Sequence, residues 1–216
     1  MRFSYSLLLI IFSLSFLPLS AQKGPWELKK DKSGITVYTR DVEGSNLKDL
    51  KLKARMKGTL SSVLAAFYDV DTYKDWAYST TETKALKMVS DLEMYYYTVS
   101  DFPWPFQDRD LVVKSILSQD PNTKTVVSES FLESNFYPAQ NNRVRVPKFW
   151  AKWSMTPTND GWLDIEYIIS TDPGGNVPAW LVYLFIDKGP IHSIKRLQEV
   201  INQEPYKSAS YSFITE

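Results

Sequence analysis

From about residue 80 onward the chain carries six strand-sized segments in succession and then one long helical segment, and this order restricts the fold more than any other feature. The segments lie at about 82–90, 92–100, 109–119, 124–133, 143–155 and 162–171. Between them stand Ser90-Asp91, the Pro103/Pro105 stretch, Asp120-Pro121-Asn122, Pro138 to Asn142 and Asn159-Asp160-Gly161, residue types that reverse a chain. Strands joined at hairpin spacing pair with their neighbours, so the segments predict an antiparallel sheet. The last segment runs from near Pro178 to about Gln203. Its apolar residues Trp180, Leu181, Leu184, Phe185, Ile191, Ile194, Leu197, Val200 and Ile201 recur at helical spacing. A helix with one apolar stripe has to bury it, and the concave face of the sheet is the surface on offer. The expectation is an α+β architecture.

The first part of the chain adds smaller elements. Trp26 to Asp31 reads as a short opening helix, and Gly34 to Arg40 as a strand. Residues 47–58 alternate, with Leu50, Leu52, Ala54 and Met56 on one face and Lys51, Lys53, Arg55 and Lys57 on the other, which predicts a strand with one wet face. Thr59 is placed to cap a helix, and a second helical piece follows at about Asp71 to Trp76. The predicted order is two strands, two helices, six strands and one long helix.

The N-terminus carries a different signal. Met1 and Arg2 are followed by the apolar run Leu7 to Leu19 and then by the small residues Ser20 and Ala21. This is the pattern of a secretory signal peptide, residues 1–21, with cleavage expected after Ala21 and export to a periplasm or to the outside. The apolar run is short for a membrane span of about 20 residues; an uncleaved anchor is the alternative. Residues 22–216 then form one domain. With 25 basic and 25 acidic residues, the chain lacks the basic footprint of a nucleic-acid binder. It has no cysteine, so no disulfide supports the exported domain and its core must suffice.

Three stretches carry a family likeness. Tyr95-Tyr96-Tyr97 runs into Phe102-Pro103-Trp104-Pro105-Phe106-Gln107-Asp108-Arg109-Asp110. Arg143-Val144-Arg145-Val146 opens a strand ending in Trp153-Ser154-Met155. Asp172-Pro173-Gly174-Gly175-Asn176-Val177-Pro178-Ala179-Trp180-Leu181 leads into the last helix. In this order they resemble the START (StAR-related lipid-transfer) family, with a flavour of its phosphatidylcholine-transfer branch. The resemblance implies a helix-grip fold, a curved antiparallel sheet wrapped around the C-terminal helix and enclosing a tunnel. It also implies non-catalytic binding of a lipid or sterol, for transport or sensing, by a monomer in transient contact with a membrane.

The apolar drive for such a ligand is large. Each buried CH₂ is worth about 0.8 kcal/mol, so a sixteen-carbon chain offers on the order of 12 kcal/mol. The site needs an apolar lining with few polar groups. The lining candidates are Tyr96, Phe131, Trp153, Met155, Tyr167, Ile169, Trp180, Leu184 and Phe185. Strand parity places Arg145 inward with Phe149, Ala151, Trp153 and Met155, unless Pro147 marks a bulge. A buried guanidinium needs a partner, and Glu129, on a face with Val127 and Phe131, is the expected one. Their pairing would serve either a lipid head or the rim of the sheet. Arg109-Asp110 is placed to pin the proline loop by charge-assisted bonds. The strand after it carries Val113, Ser115 and Leu117 on one face, without the arginine some relatives have there, which weighs against a phospholipid head-group. Gly189-Pro190 predicts a kink in the last helix, either a static bend or a hinge that admits ligand.

Catalytic chemistry finds little support. His192 is the only histidine, and no G-x-S-x-G elbow, zinc-ligand spacing or Gly-rich phosphate loop is present. No catalytic residue, metal or cofactor is expected. Carboxylate chemistry through Glu129, Glu133, Asp164 or Glu166 stays open by counting, though Asp164 and Glu166 are expected to face solvent. The alternative function is a cyclase or hydrolase of a hydrophobic small molecule on the same scaffold. A third possibility is an interaction module whose cavity has filled with side chains.

Overall fold

The computed structural model describes residues 24–45 and 47–216, apart from the side chains of residues 179, 180, 183, 184, 186 and 187. The expected signal peptide, residues 1–21, lies outside the described residues. Within them the chain folds into one sheet of ten strands, antiparallel in every pairing but one, and three α-helices. Three strands come first: β1 (Glu27–Lys32), β2 (Ile35–Asp41) and β3 (Lys48–Lys57). Two helices follow, α1 (Leu60–Tyr68) and α2 (Tyr73–Trp76). The next seven strands are β4 (Thr80–Ser90), β5 (Glu93–Ser100), β6 (Asp108–Gln119), β7 (Val126–Leu132), β8 (Arg143–Arg145), β9 (Lys148–Pro157) and β10 (Trp162–Asp172). Helix α3 (Ala179–Ile201) closes the fold. The strand order is β1-β2-β3-β10-β9-β7-β6-β5-β4, with β8 lying beside β6.

Two elements depart from the sequence expectation. The segment read as an opening helix is strand β1, because Ser33 and Gly34 take positive φ (57° and 72°) and fold the chain into a two-residue hairpin onto β2. The segment read as one strand from 143 to 155 is two. Beyond Arg145 the chain breaks at Val146-Pro147; β8 runs parallel to β6, whereas β9 pairs antiparallel with β7 and β10. Proline supplies no N–H to a ladder, so the break falls at the residue that cannot continue one.

The alternation read in residues 47–58 decides which side of the sheet is the core. Leu50, Leu52, Ala54 and Met56 are buried, while Lys53, Arg55 and Lys57 stand outside, where Arg55 meets Asp160 and Asp164 and Lys53 meets Glu166. Asp164 and Glu166 thus lie on the outer face, as their parity predicts. Thr59 caps α1: its hydroxyl accepts the Ser62 amide, and the Ser62 hydroxyl answers the Thr59 amide, both at 3.1 Å. Helix α3 runs unbroken through Gly189-Pro190. Its C-terminal half, through Ile194, Leu197 and Ile201, packs into the core shared by α1 and β3. Its other half borders the cavity, which Val182 and Phe185 help to line.

Candidate ligand cavity

Between the concave face of the sheet and α3 lies a cavity of about 330 Å³. Strand parity builds its walls. On β5, Tyr96, Thr98 and Ser100 point inward, paired in register with Val113, Leu111 and Arg109 of β6. On the opposite wall Tyr167 lies between Trp153 and Leu52, and Ile169 between Ala151 and Leu50. The α3 side contributes Val182, Phe185, Pro190, Ser193 and Ile194.

One end of the cavity is aromatic. Tyr96 packs edge-on against Tyr73 (5.4 Å), Tyr73 against Trp76 (5.0 Å), Trp76 stacks on Phe67 (6.0 Å), Phe67 meets Trp153 (5.3 Å), and Trp153 meets Tyr167 (4.4 Å). Tyr73 and Trp76 are three apart on the short helix α2, which sets both rings on one face. Small residues on β7 make room for these rings: Ser128 lies opposite Trp153, and Ser130 touches the Tyr96 hydroxyl. Ser128 is satisfied by Ser115, 3.1 Å away. Burial pushes the Tyr96 phenol up to about 12, although Ser130 pulls it partly back, and burial raises Tyr73 and Tyr167 still further. These hydroxyls stay protonated at any physiological pH.

At the other end two loops are held together by Arg109. Its guanidinium donates to the carbonyls of Pro173 (3.2 Å), Gly174 (3.1 Å) and Gln107, and lies 4.3 Å from the centre of the Phe102 ring. Desolvation lowers the Arg109 pKa, with Asp108 opposing. Phe102 in turn stacks on Phe185 of α3 at 4.6 Å, and Phe185 meets Tyr78 edge-on. Gly174 has φ +69°, and a Cβ there would fall 2.9 Å from Pro147, so this turn admits only glycine. The charge-assisted pinning expected of Arg109-Asp110 is present, with the two residues turned to opposite faces of β6.

The residues singled out from sequence separate into four groups. Tyr96, Trp153, Tyr167, Ile169 and Phe185 line the cavity. Met155 points the same way but is wholly buried in the core beyond it. The side chains of Trp180 and Leu184 lie outside the described residues. Arg145, Glu129 and Phe131 are corrections. On β7 the inward residues are Val126, Ser128 and Ser130, so Glu129 and Phe131 face outward; Phe131 is exposed, and Glu129 accepts the Trp150 indole N–H at 2.7 Å. Arg145 pairs with Asp110 (2.9 and 3.0 Å), not with Glu129, and reaches the carbonyls of Ser134, Tyr137 and Pro138 on the convex side of the sheet. The break at Pro147 cancels the parity that would have carried Arg145 inward.

Sequence reasoning missed Thr98, Ser100, Arg109, Tyr73 and Trp76 as lining. Extending the parity of Tyr96 along β5 would have found the first two. Among the described residues no group of His, Asp or Glu is placed to hold a metal ion, and no helix is long and apolar enough to cross a membrane. His192 is exposed on α3, with its ring edge-on to Tyr78 at 5.5 Å.

Known proteins share this plan. A STAR-related lipid transfer protein from Xanthomonas axonopodis superposes with a TM-score of 0.76 at 29% identity, over 82% of this chain and 99% of that one. An uncharacterised protein of Pseudomonas aeruginosa is 29% identical over 80% of this chain and 85% of its own length. The mouse phosphatidylcholine transfer protein is 27% identical over 73% of this chain and 74% of its own. The START domain model matches residues 15–206. The chain belongs to the START domain family.

Proposed function

We propose that this chain binds a lipid or sterol without chemical change, hiding the ligand's apolar body between the curved sheet and α3, and that it works as a carrier or sensor. The observation that carries the reading is the cavity itself, walled by aromatic and aliphatic side chains with a few hydroxyls among them. Its volume falls at the lower end of the range for small-molecule sites, about 300–1,000 Å³. The lipid-transfer names of the Xanthomonas and mouse relatives support the same reading. So does the cavity's chemistry: no carboxylate or imidazole is among its described lining residues, which leaves a hydrolase or cyclase without an evident acid–base pair.

The protein acts as a monomer that touches a membrane to load and unload. Trp104, 91% exposed on the loop beside Phe102, presents the amphipathic ring that favours a lipid–water interface. Export to a periplasm or to the outside follows from the N-terminal pattern, and sequencing the N-terminus of protein recovered from its host tests it, with Gln22 as the expected first residue.

The binding experiment is native mass spectrometry with organic extraction of protein purified from its own host. A lipid near one per chain is the expected result. A protein that arrives empty and also refuses fluorescent lipids and sterols would refute the reading.

A further inference from the structure

Most of the polar side chains among the described lining of the cavity are neutral. Its hydroxyls include those of Thr80, Tyr96, Thr98, Ser100, Tyr167 and Thr171. The charged residues among the described lining are Lys48 and Arg109, and both are engaged, Lys48 with Asp41 and Arg109 with three backbone carbonyls. Arg109 belongs to the end lined by Phe102 and Pro173, away from the aromatic end.

At the aromatic end the hydroxyls differ in what they already hold. Tyr73 donates to the Phe67 carbonyl at 2.5 Å, and Tyr96 touches Ser130. The Tyr167 hydroxyl has no hydrogen-bond partner among the described residues, and its ring, half-buried, lines the cavity. A phenol that lines the cavity without a partner is free to donate to, or accept from, a ligand oxygen. An ion brought to the same place would lose its hydration and meet no counter-charge among the described residues there. A quaternary ammonium would find aromatic faces, but a phosphate tied to it would find no cation among the described residues at that end.

Resting on the lipid-binding reading above, we infer that the ligand is an uncharged amphiphile, an alcohol or carbonyl on a single chain or fused-ring body, which enters polar end first and hydrogen-bonds through its oxygen to the Tyr167 hydroxyl. The proposal sets this chain apart from carriers of charged or zwitterionic head-groups, although one of its relatives is named for phosphatidylcholine. The modest volume agrees: it suits one chain or one ring system better than a two-chain phospholipid.

The test uses the full chain stripped of lipid and compares probes of one chain length and different heads: 1-dodecanol, laurate and dodecylphosphocholine, each below its micelle concentration. Cholesterol and cholesterol sulfate repeat the contrast on a ring body. Displacement of a fluorescent lipid reports affinity. The neutral member of at least one series should bind about tenfold or more tighter than its charged partners. Tyr167→Phe should weaken that neutral probe by about three- to tenfold and leave the charged ones unchanged. A neutral member that is favoured in neither series, so that a charged probe binds as tightly as its neutral counterpart in both, would overturn the inference while leaving lipid binding intact, as would indifference of the neutral probe to Tyr167→Phe in a folded variant. Should that variant fail to fold, the head-group comparison on the unaltered chain still decides. If no probe binds and protein from the host carries no lipid, the binding reading itself fails.

Discussion

Arg145 and Asp110 face each other across β8 and β6 in a two-point ion pair, 2.9 and 3.0 Å, with the Asp110 side chain only 1% exposed. The pair lies on the convex side of the sheet, next to the small cluster of Tyr97, Val99 and Val112 that Tyr137 covers. Arg145 also gathers the carbonyls of Ser134, Tyr137 and Pro138, so one side chain fastens the whole 133–146 excursion to the back of the sheet. Because β6 carries Arg109 to the cavity and Asp110 to the back, the two adjacent residues hold the loops at that end of the cavity and the outer flap in register.

Breaking one half of a buried pair strands the other charge, at a cost of about 3–5 kcal/mol. Arg145→Ala and Asp110→Ala should each destabilise the protein by an amount near that range in denaturant unfolding. The double variant should cost clearly less than the sum, because neither charge is then left alone. Strict additivity would mean that the two side chains do not depend on each other.

Much of the scaffold was legible in the chain. The alternation in β3, the Thr59 cap, the hairpin punctuation and the helical spacing of α3 each follow from local chemistry, and each has its place in the structure. The side of the sheet that a residue faces was legible only where the strand was unbroken. Phe149, Trp153, Tyr167 and Ile169 keep the predicted parity because β9 and β10 are continuous. Arg145 loses it at Pro147, a break that was visible as a possibility and not as a fact. Glu129 and Phe131 mislead for another reason: on β7 the inward face is serine, because the neighbouring Trp153 and Tyr96 rings fill the space a larger side chain would take. That choice depends on partners far away in sequence, and no local pattern records it. The strand β1 was hidden by its charges, since its residues are largely exposed and leave no apolar alternation to read.

If the cavity is empty space awaiting a ligand, filling it should be tolerated by the fold and fatal to binding. Ile169 projects from the middle of β10 into that space. In a packed core an oversized side chain costs about 1–3 kcal/mol; here Ile169→Trp should unfold within about 1 kcal/mol of the unaltered protein and lose at least about tenfold in lipid uptake. Uptake that survives the added ring would place the ligand elsewhere, and a large loss of stability would mean that the region is already filled.

The buried phenols make the fold sensitive to alkali. Burial holds Tyr96 at about 12, and Tyr73 and Tyr167 are raised too, against an unfolded value near 10. Above pH 10 the unfolded chain releases these protons while the folded one retains them, so unfolding becomes easier as pH rises. Stability should be flat in these groups below about pH 10 and fall from there through pH 12. Absorbance titration should show a set of tyrosines that ionises only with unfolding. Tyr96→Phe and Tyr167→Phe should each shallow the decline; a decline unchanged in the double variant would assign it to other groups.

Helix α1 has no acidic residue in its first turn, and the Glu216 side chain takes that place from the far end of the described chain. Its two carboxylate oxygens accept the Leu60 and Ser61 amides, each at 2.8 Å. The approach is guided by Gln119, which exchanges two hydrogen bonds with the backbone of Thr215 (2.6 and 2.9 Å), and by the rings of Tyr211 and Phe213 packed beside Tyr68. Orphan amides and the positive end of the helix dipole both favour an anion at this position. Replacing the charge but keeping an acceptor, Glu216→Gln, should cost about 0.5–1 kcal/mol. Removing the acceptor altogether, Glu216→Ala, should cost about 1–2 kcal/mol and speed amide exchange at Leu60 and Ser61. The difference between the two variants should shrink as salt is raised, since only the charge is screened. If both variants unfold like the parent and the two amides exchange no faster, the strap rests on its aromatic packing and the carboxylate is incidental.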